Sequence, residues 1–254
     1  MLRTRVIPIL LLKDSGLVKT VRFKNPKYIG DPINAVRIFN DKEVDELVFL
    51  DISATPNKRK PNFNLIKDIA GEAFMPFAYG GGITELRDIE KLFNIGVEKI
   101  ILNSIVHKDP NLIKKAAEIF GNQSIVVSID IKKTFFFGQK IFTKCGSVKL
   151  NENLIDFVKI YEQLGAGELI INSIDKDGTM SGYDIDLIKS ISDNVNIPVV
   201  ASGGAGNLND FKTAVNEGNA SAVAAGSMFV FNGPHRAVLI TYPDYNELEK
   251  LFNN

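Results

Sequence analysis

The chain has a single cysteine, Cys145, among 254 residues, two histidines, His107 and His235, and no tryptophan. One thiol cannot form an intrachain disulfide, so cysteine usage gives no reason to expect an oxidising compartment. Two histidines far apart in sequence make no ligand-spaced cluster, so packing or surface roles are their default and neither a metal nor a cofactor is expected. An all-oxygen Mg²⁺ site would leave no such signature. Neither sign of charge is in excess: 30 Lys plus Arg stand against 30 Asp plus Glu. That balance offers no general attraction for nucleic acid or an anionic membrane surface. Long hydrophobic runs are missing too, because Lys13 and Asp51 interrupt the longest ones well short of the roughly 20 residues a bilayer span needs. The opening Met1-Leu-Arg-Thr-Arg5 leads into a short apolar run without a small-residue cleavage site, which predicts a cytoplasmic protein.

Internal repetition is what the chain does have. The segment Glu46-Leu-Val-Phe-Leu-Asp51-Ile-Ser returns 122 positions later as Glu168-Leu-Ile-Ile-Asn172-Ser-Ile-Asp175, and Met75-Pro-Phe-Ala-Tyr-Gly-Gly-Gly-Ile83 returns as Ile197-Pro-Val-Val-Ala-Ser-Gly-Gly-Ala205. Around these repeats, apolar runs at residues 6–12, 46–51, 74–79, 99–103, 124–130, 168–172, 198–202 and 220–225 alternate with amphipathic stretches such as 111–120 and 208–218. Near-continuous apolar runs suit parallel strands buried on both faces. The pattern predicts a single (β/α)8 barrel over residues 1–254, built from half-barrels at about 1–120 and 121–240 with a C-terminal tail at 232–254. An open doubly wound sheet is the alternative, but the glycine turns lack the third glycine of a dinucleotide fingerprint. Two long loops, 13–32 and 132–150, follow the first strand of each half; within the second, Thr134-Phe135-Phe136-Phe137-Gly138 and the residues to Thr143 read as a hairpin whose aromatics pack locally.

In such a barrel the C-terminal strand ends carry the chemistry. Gly80-Gly81-Gly82 and Gly203-Gly204 can bring backbone N–H groups close to an anion, and each is followed one strand later by a small polar pair, Asn103-Ser104 and Gly226-Ser227. Two phosphates, one per half, are the expected ligands, although glycines also serve tight turns for purely structural reasons. Asp130 closes the fifth strand where a substrate would lie, and catalysis is preferred to capping for it. Asp51, Asp175 and Asp177, the last two just before Gly178, are open to either use. At the opposite end, Arg5, Glu46, Lys99 and Glu168 stand at strand starts, and a salt-bridge floor is the plain reading of their spacing.

The segments Asp45-Glu-Leu-Val-Phe-Leu-Asp-Ile-Ser-Ala54, Tyr79-Gly-Gly-Gly-Ile83, Ser173-Ile-Asp-Lys-Asp-Gly-Thr179 and Ala201-Ser-Gly-Gly-Ala-Gly206 resemble the cyclase subunit of imidazole glycerol phosphate synthase, from Met1 to about Phe231. The resemblance implies a barrel paired with a glutaminase subunit. It would receive ammonia through the barrel and use it to split and cyclise a doubly phosphorylated ribulosyl-aminoimidazole. It also recasts the floor: Arg5, Glu46, Lys99 and Glu168 match the family's ammonia gate, and Glu98 falls at its partner interface. Lys19 matches a loop lysine that can meet a substrate phosphate. The substrate-binding set is then Lys19, Gly81, Gly82, Asn103, Ser104, Asn172, Gly178, Gly203, Gly204, Gly226 and Ser227, with Asp130, Asp51 and Asp177 as candidate catalytic groups.

The chain departs from that family at two strand ends. Where the family carries the first aspartate of its acid/base pair this sequence has Leu11, and Asn172 stands where threonine is more common. The segments Leu10-Leu-Leu12, Val18-Lys-Thr-Val-Arg-Phe23, the stretch from Gly30 to Asn40 and the stretch from Phe231 to Ile240 are similar to a cyclase-like branch associated with acetamidino modification of surface-polysaccharide sugars. That second resemblance implies a separate sugar amidotransferase as a further partner, with the tail either docking it or simply ending in a last helix. Three functions follow: an ammonia-supplying barrel for sugar amidination, an authentic cyclase subunit of histidine biosynthesis, or a non-catalytic scaffold that senses a phosphorylated ligand.

Overall fold

The computed structural model describes residues 4–134 and 138–253; the run Phe135-Phe136-Phe137 lies outside them. The first half contains β1 (Arg5–Lys13), an antiparallel hairpin of β2 (Gly16–Val21) and β3 (Lys24–Gly30), α1 (Pro32–Asp41), β4 (Leu47–Asp51), α2 (Phe63–Glu72), β5 (Phe77–Gly80), α3 (Leu86–Ile95), β6 (Lys99–Leu102) and α4 (Asn111–Phe120). The second half repeats the plan with β7 (Ile125–Thr134), a meander of β8 (Gly138–Thr143) and β9 (Val148–Lys149), α5 (Leu154–Gln163), β10 (Glu168–Ser173), α6 (Ile185–Ser192), β11 (Val199–Ser202), α7 (Leu208–Asn216), β12 (Ala222–Ala225) and the short α8 (Ser227–Val230). The tail adds a two-stranded ribbon, β13 (Phe231–Asn232) and β14 (Ala237–Val238), and a last helix, α9 (Tyr245–Asn253). Parallel pairing runs β1-β4-β5-β6-β7-β10-β11-β12 and returns to β1, with Arg5 beside Ala222. The sheet is closed, and the chain forms the (β/α)8 barrel that the repeat predicts.

Strand periodicity divides the apolar residues between two cores. Outward-facing positions such as Val6, Leu10, Leu47, Phe49 and Tyr79 pack under the helices, whereas Ile7, Ile9, Val48, Ala78, Ile101, Val126, Ile170, Val200, Ala222 and Ala224 fill the barrel interior. Helix starts are fixed by local chemistry: Asp31 accepts from the Asn34 amide ahead of Pro32, and Asn62, Asn153, Asp184 and Asn207 cap α2, α5, α6 and α7 in the same way.

Several boundaries move. Phe74 is 88% exposed and β5 begins only at Phe77, so the apolar run at 74–79 overstates that strand. The runs at 198–202 and 220–225 likewise start late, at Val199 and Ala222, and the helix expected over 208–218 stops at Asn216. Among the described residues both long loops carry antiparallel pairing: β1 continues past the barrel to pair Leu11 with Val18, and β7 continues to pair Lys132 with Lys140. The tail packs on the barrel, since the Tyr242 hydroxyl donates to the Val6 carbonyl at 2.9 Å and Leu248 is fully buried. No helix among the described residues is long and apolar enough to cross a membrane.

Candidate active site

One cavity of about 170 Å³ opens at the C-terminal ends of the strands. Asp51, Asp130, Asp177, Lys19, Gly81, Gly82, Asn103, Ser104, Asn172, Gly178, Gly203, Gly204, Gly226 and Ser227 all line it, together with Leu11. Asp175 does not: its carboxylate turns outward to accept from the Lys133 amide at 2.8 Å. Asp14, the nearest acid to Leu11 in sequence, also turns away and pairs with Arg59 at 3.0 Å.

Asp130 is the centre of the arrangement. Inner-face alternation along β7 brings Val126, Ser128 and Asp130 toward the barrel axis, and β10 sets Asn172 directly beside Asp130 in register. The two carboxylate oxygens are held separately: Oδ1 accepts from Asn172 Nδ2 at 3.2 Å and Oδ2 from Asn103 Nδ2 at 3.0 Å. Asn103 also donates to the Ser128 carbonyl at 3.0 Å, which fixes its amide. Asn172 Oδ1 is buried and has no partner among the described atoms. Burial pushes the Asp130 carboxyl up to about 6; the two amides oppose that shift and the charge of Asp177 adds to it. A carboxyl poised there can both take and give a proton near neutral pH.

Asp177 lies in the turn after β10 and ties the halves together. Its Oδ2 accepts from Thr20 Oγ1 at 3.1 Å and from the Phe23 amide at 3.4 Å, while the Arg22 amide donates to its main-chain carbonyl at 2.9 Å. The β2–β3 hairpin of the first half is thus pinned over the strand ends of the second. Burial raises the Asp177 pKa, against Lys19 and these hydrogen bonds. Asp51 does not cap the following helix, which Asn62 caps; its Oδ1 holds the turn after β4, accepting from the Ser53 amide at 2.9 Å, the Ser53 hydroxyl at 2.7 Å and the Ala54 amide at 3.0 Å.

The glycine turns share their surroundings but not their dihedral angles. Gly81 and Gly203, which the repeat aligns, have φ +120° and +81°, and a Cβ on them would lie 2.5 Å from the Asp51 carbonyl oxygen and 2.8 Å from that of Ser173; Gly82 and Gly204 have φ +71° and +129°. Only glycine fits these positions. Each turn therefore presents bare backbone to the cavity, as an anion cradle requires.

At the barrel floor the four charges close into a ring. Arg5 hydrogen-bonds to both Glu46 and Glu168, and Lys99 completes the circuit to Glu46 at 2.8 Å and Glu168 at 3.0 Å. Burial works against the Arg5 guanidinium, but Glu168 and Glu46 hold its pKa above the ordinary value. Glu98 lies exposed beside the ring. Between ring and cavity the interior is apolar throughout.

Sequence reasoning missed Thr20, Phe23 and Cys145, which also line the cavity. They come from the two ribbons rather than from strand ends, and Cys145 reaches across the mouth to the Ile52 carbonyl at 3.3 Å. Ser128 and Ser202, also missed, follow from inner-face alternation and could have been found by it.

Comparison with known proteins agrees with this architecture. A protein of Pseudomonas aeruginosa named "Putative imidazole glycerol phosphate synthase subunit hisF2" is 52% identical over 249 residues, which cover 98% of this chain and 99% of that protein. A Leptospira borgpetersenii relative, "Putative imidazole glycerol phosphate synthase subunit HisF", is 49% identical over 253 residues, 99% of this chain and 100% of its own. "Imidazole glycerol phosphate synthase subunit HisF" of Alkaliphilus metalliredigens is 39% identical over 232 residues, 91% of this chain and 92% of its own. The family model described as "Histidine biosynthesis protein" matches residues 5–234, and the chain belongs to that family.

Proposed function

We propose that this chain is the ammonia-channelling barrel subunit of a glutamine amidotransferase system of the imidazole glycerol phosphate synthase kind. Its substrate is a doubly phosphorylated small molecule, and its glutaminase partner docks at the Arg5, Glu46, Lys99 and Glu168 floor beside Glu98. The observation that carries the proposal is a cavity lined by both glycine turns, an acid/base-competent Asp130 among them and a charged ring at the opposite barrel end. The reaction departs from the parent cyclisation, because the strand end of β1 offers Leu11 where an aspartate would complete the pair. Loss of one of two proton-transfer groups costs about 10²–10⁴-fold. The ammonia then serves amidination of a sugar in surface-polysaccharide biosynthesis, through a separate sugar amidotransferase; the resemblance of the first hairpin and the tail to that branch supports this part.

Two measurements test the reading. Addition of the barrel should accelerate glutamine hydrolysis by its glutaminase, and Lys99→Ala should uncouple hydrolysis from ammonia transfer; no acceleration rejects the partnership. Incubation with the ribulosyl-aminoimidazole substrate and an ammonium salt, followed by absorbance, should show negligible turnover in the native protein and a gain in Leu11→Asp. The second reading, an authentic cyclase subunit in histidine biosynthesis, is favoured by the names of the relatives and by the presence of Asp51 and Asp177 on the same cavity. Native turnover equal to that of Leu11→Asp establishes it instead.

A further inference from the structure

The C-terminal tail reaches the cavity wall through one side chain. Arg236 stands in the turn between β13 and β14, where it is half-buried and adopts φ +50°, a left-handed conformation that costs any residue with a side chain free energy. Its guanidinium donates to the carbonyl of Gly178 at 2.5 Å and lies 5.3 Å from the centre of the Phe231 ring. No ion pair among the described residues includes it. Removing a cation from water without a carboxylate beside it is unfavourable, so the carbonyl and the ring are what keep this side chain in place.

Both contacts lead to the site. Gly178 lines the cavity next to Asp177, and it lies so close to β2 that a Cβ on it would be 2.1 Å from the Thr20 carbonyl oxygen. Asp177 in turn accepts from the Thr20 hydroxyl and from the amides of Arg22 and Phe23 at the tip of the first hairpin. The Phe231 ring receives a second cation from that same hairpin, Lys27 of β3, whose ammonium is 5.6 Å from the ring centre. Hairpin, turn and tail therefore form a closed circuit: β2 to Asp177, Gly178 to Arg236, and Phe231 back to β3. The tail side of the circuit is firmly mounted, because the amides of Leu239 and Thr241 donate to the carbonyls of Val230 and Phe229 at 3.0 and 2.9 Å and so fix the ribbon to α8.

We propose that Arg236 is a positioning residue of the active site: it holds the Gly178 carbonyl, and with it the turn that carries Asp177, so that the first hairpin stays closed over the strand ends of the second half. The inference rests on reading this cavity as the active site, and it makes the tail a working part of that site rather than an end cap. Arg236 does not itself line the cavity; it acts through Gly178 and Asp177. A guanidinium suits the place because its plane can lie against a ring while its edge donates to a carbonyl, which an ammonium does less well.

The test compares amide hydrogen exchange in ¹⁵N-labelled native protein, Arg236→Met and Arg236→Lys. Arg236→Met should speed exchange at Arg22 and Phe23, whose amides donate to Asp177, by about tenfold, as loss of one hydrogen bond from a charged donor implies. The amides of β7 and β10 should stay within about twofold of native, and Arg236→Lys should restore part of the protection. Titration with inorganic phosphate gives the second readout: in Arg236→Met the midpoint at the Gly178 and Ser227 amides should rise about tenfold, while that at Gly81 and Gly82 should stay within about twofold. Exchange at Arg22 and Phe23 within about twofold of native overturns the proposal, because the contact then holds nothing. A rise shared equally by the barrel strands overturns it too, because Arg236 then serves the fold alone, and so does faster local exchange with every phosphate midpoint unchanged. No phosphate response in the native protein rejects the phosphate reading instead, and the exchange rates then decide the role of Arg236 by themselves.

Discussion

Replacing Asp130 with asparagine should stabilise the protein, and by an amount that depends on pH in a defined way. Burial raises the Asp130 pKa from 3.8 to about 6, so above that value the folded protein holds an ionised carboxylate in a place that disfavours it. A shift of about 2 units at about 1.4 kcal/mol each gives a cost of about 3 kcal/mol at neutral pH. The sign follows from proton counting. Between the two pKa values the folded state keeps a proton that the unfolded state releases, so this group's contribution to stability falls as pH rises through that window and is constant on either side. Asparagine has the same shape and no charge. It places its oxygen toward Asn103 and its NH₂ toward Asn172, whose buried Oδ1 has no partner and can turn to accept. Urea unfolding of Asp130→Asn against the native protein should therefore show a gain of about 3 kcal/mol near pH 7.5 that shrinks to about 1 kcal/mol near pH 4.5. A loss of stability at pH 7.5, or a gain of the same size at both values, refutes the claim that desolvation governs this carboxylate.

The structure sets three further outcomes. Lys99→Met leaves the buried Glu46 and Glu168 sharing Arg5 alone; urea unfolding should show a loss of about 3 kcal/mol, and an unchanged midpoint would make the ring a surface-like network. Gly81→Ala forces a side chain onto φ +120° and into the Asp51 carbonyl; it should cost about 1–3 kcal/mol in urea unfolding and abolish the phosphate response of the first cradle while leaving the second intact. Leu248→Ala removes a fully buried side chain of α9 and should cost about 2–5 kcal/mol in thermal or urea unfolding; a loss below about 1 kcal/mol would mean that the tail is not part of the folded core.

The barrel was legible in the sequence because parallel strands covered on both faces must be apolar almost throughout, and the repeat supplied their order. Where that signal failed, a specific competitor explains it. Phe74 is as hydrophobic as a strand residue but is 88% exposed, and its amide is taken by the Asn40 side chain at 3.0 Å before the chain enters β5. The segment 13–32 looks like a polar loop since β3 is exposed along most of its length. Its order comes from pairing with β2, whose Leu17 and Val18 are buried, a long-range condition that local composition does not carry. The site divides along the same line. Residues at strand ends and glycine turns were found because the barrel fixes where they point. Thr20, Phe23 and Cys145 reach the cavity only because ribbons fold back over it, and no spacing rule places them.

The doubled plan of the chain makes the distribution of charge informative. At the floor, two acids and two bases from both halves satisfy one another completely. At the opposite end burial leaves ionisable groups in costly states: Lys19, lowered to about 8 although Asp177 opposes the shift, and Asp130, raised to about 6. A protein tolerates that where a ligand completes the balance. The supports for these groups also cross between halves. Lys19 leaves the first half to rest against Gly226 of the second, Asp177 of the second half holds the hairpin that carries Lys19, and Asp130 of the second half is gripped by Asn103 of the first. Neither half contains a finished site. The duplication supplied two glycine turns, and the contacts that cross the seam join them around Asp130 in one cavity.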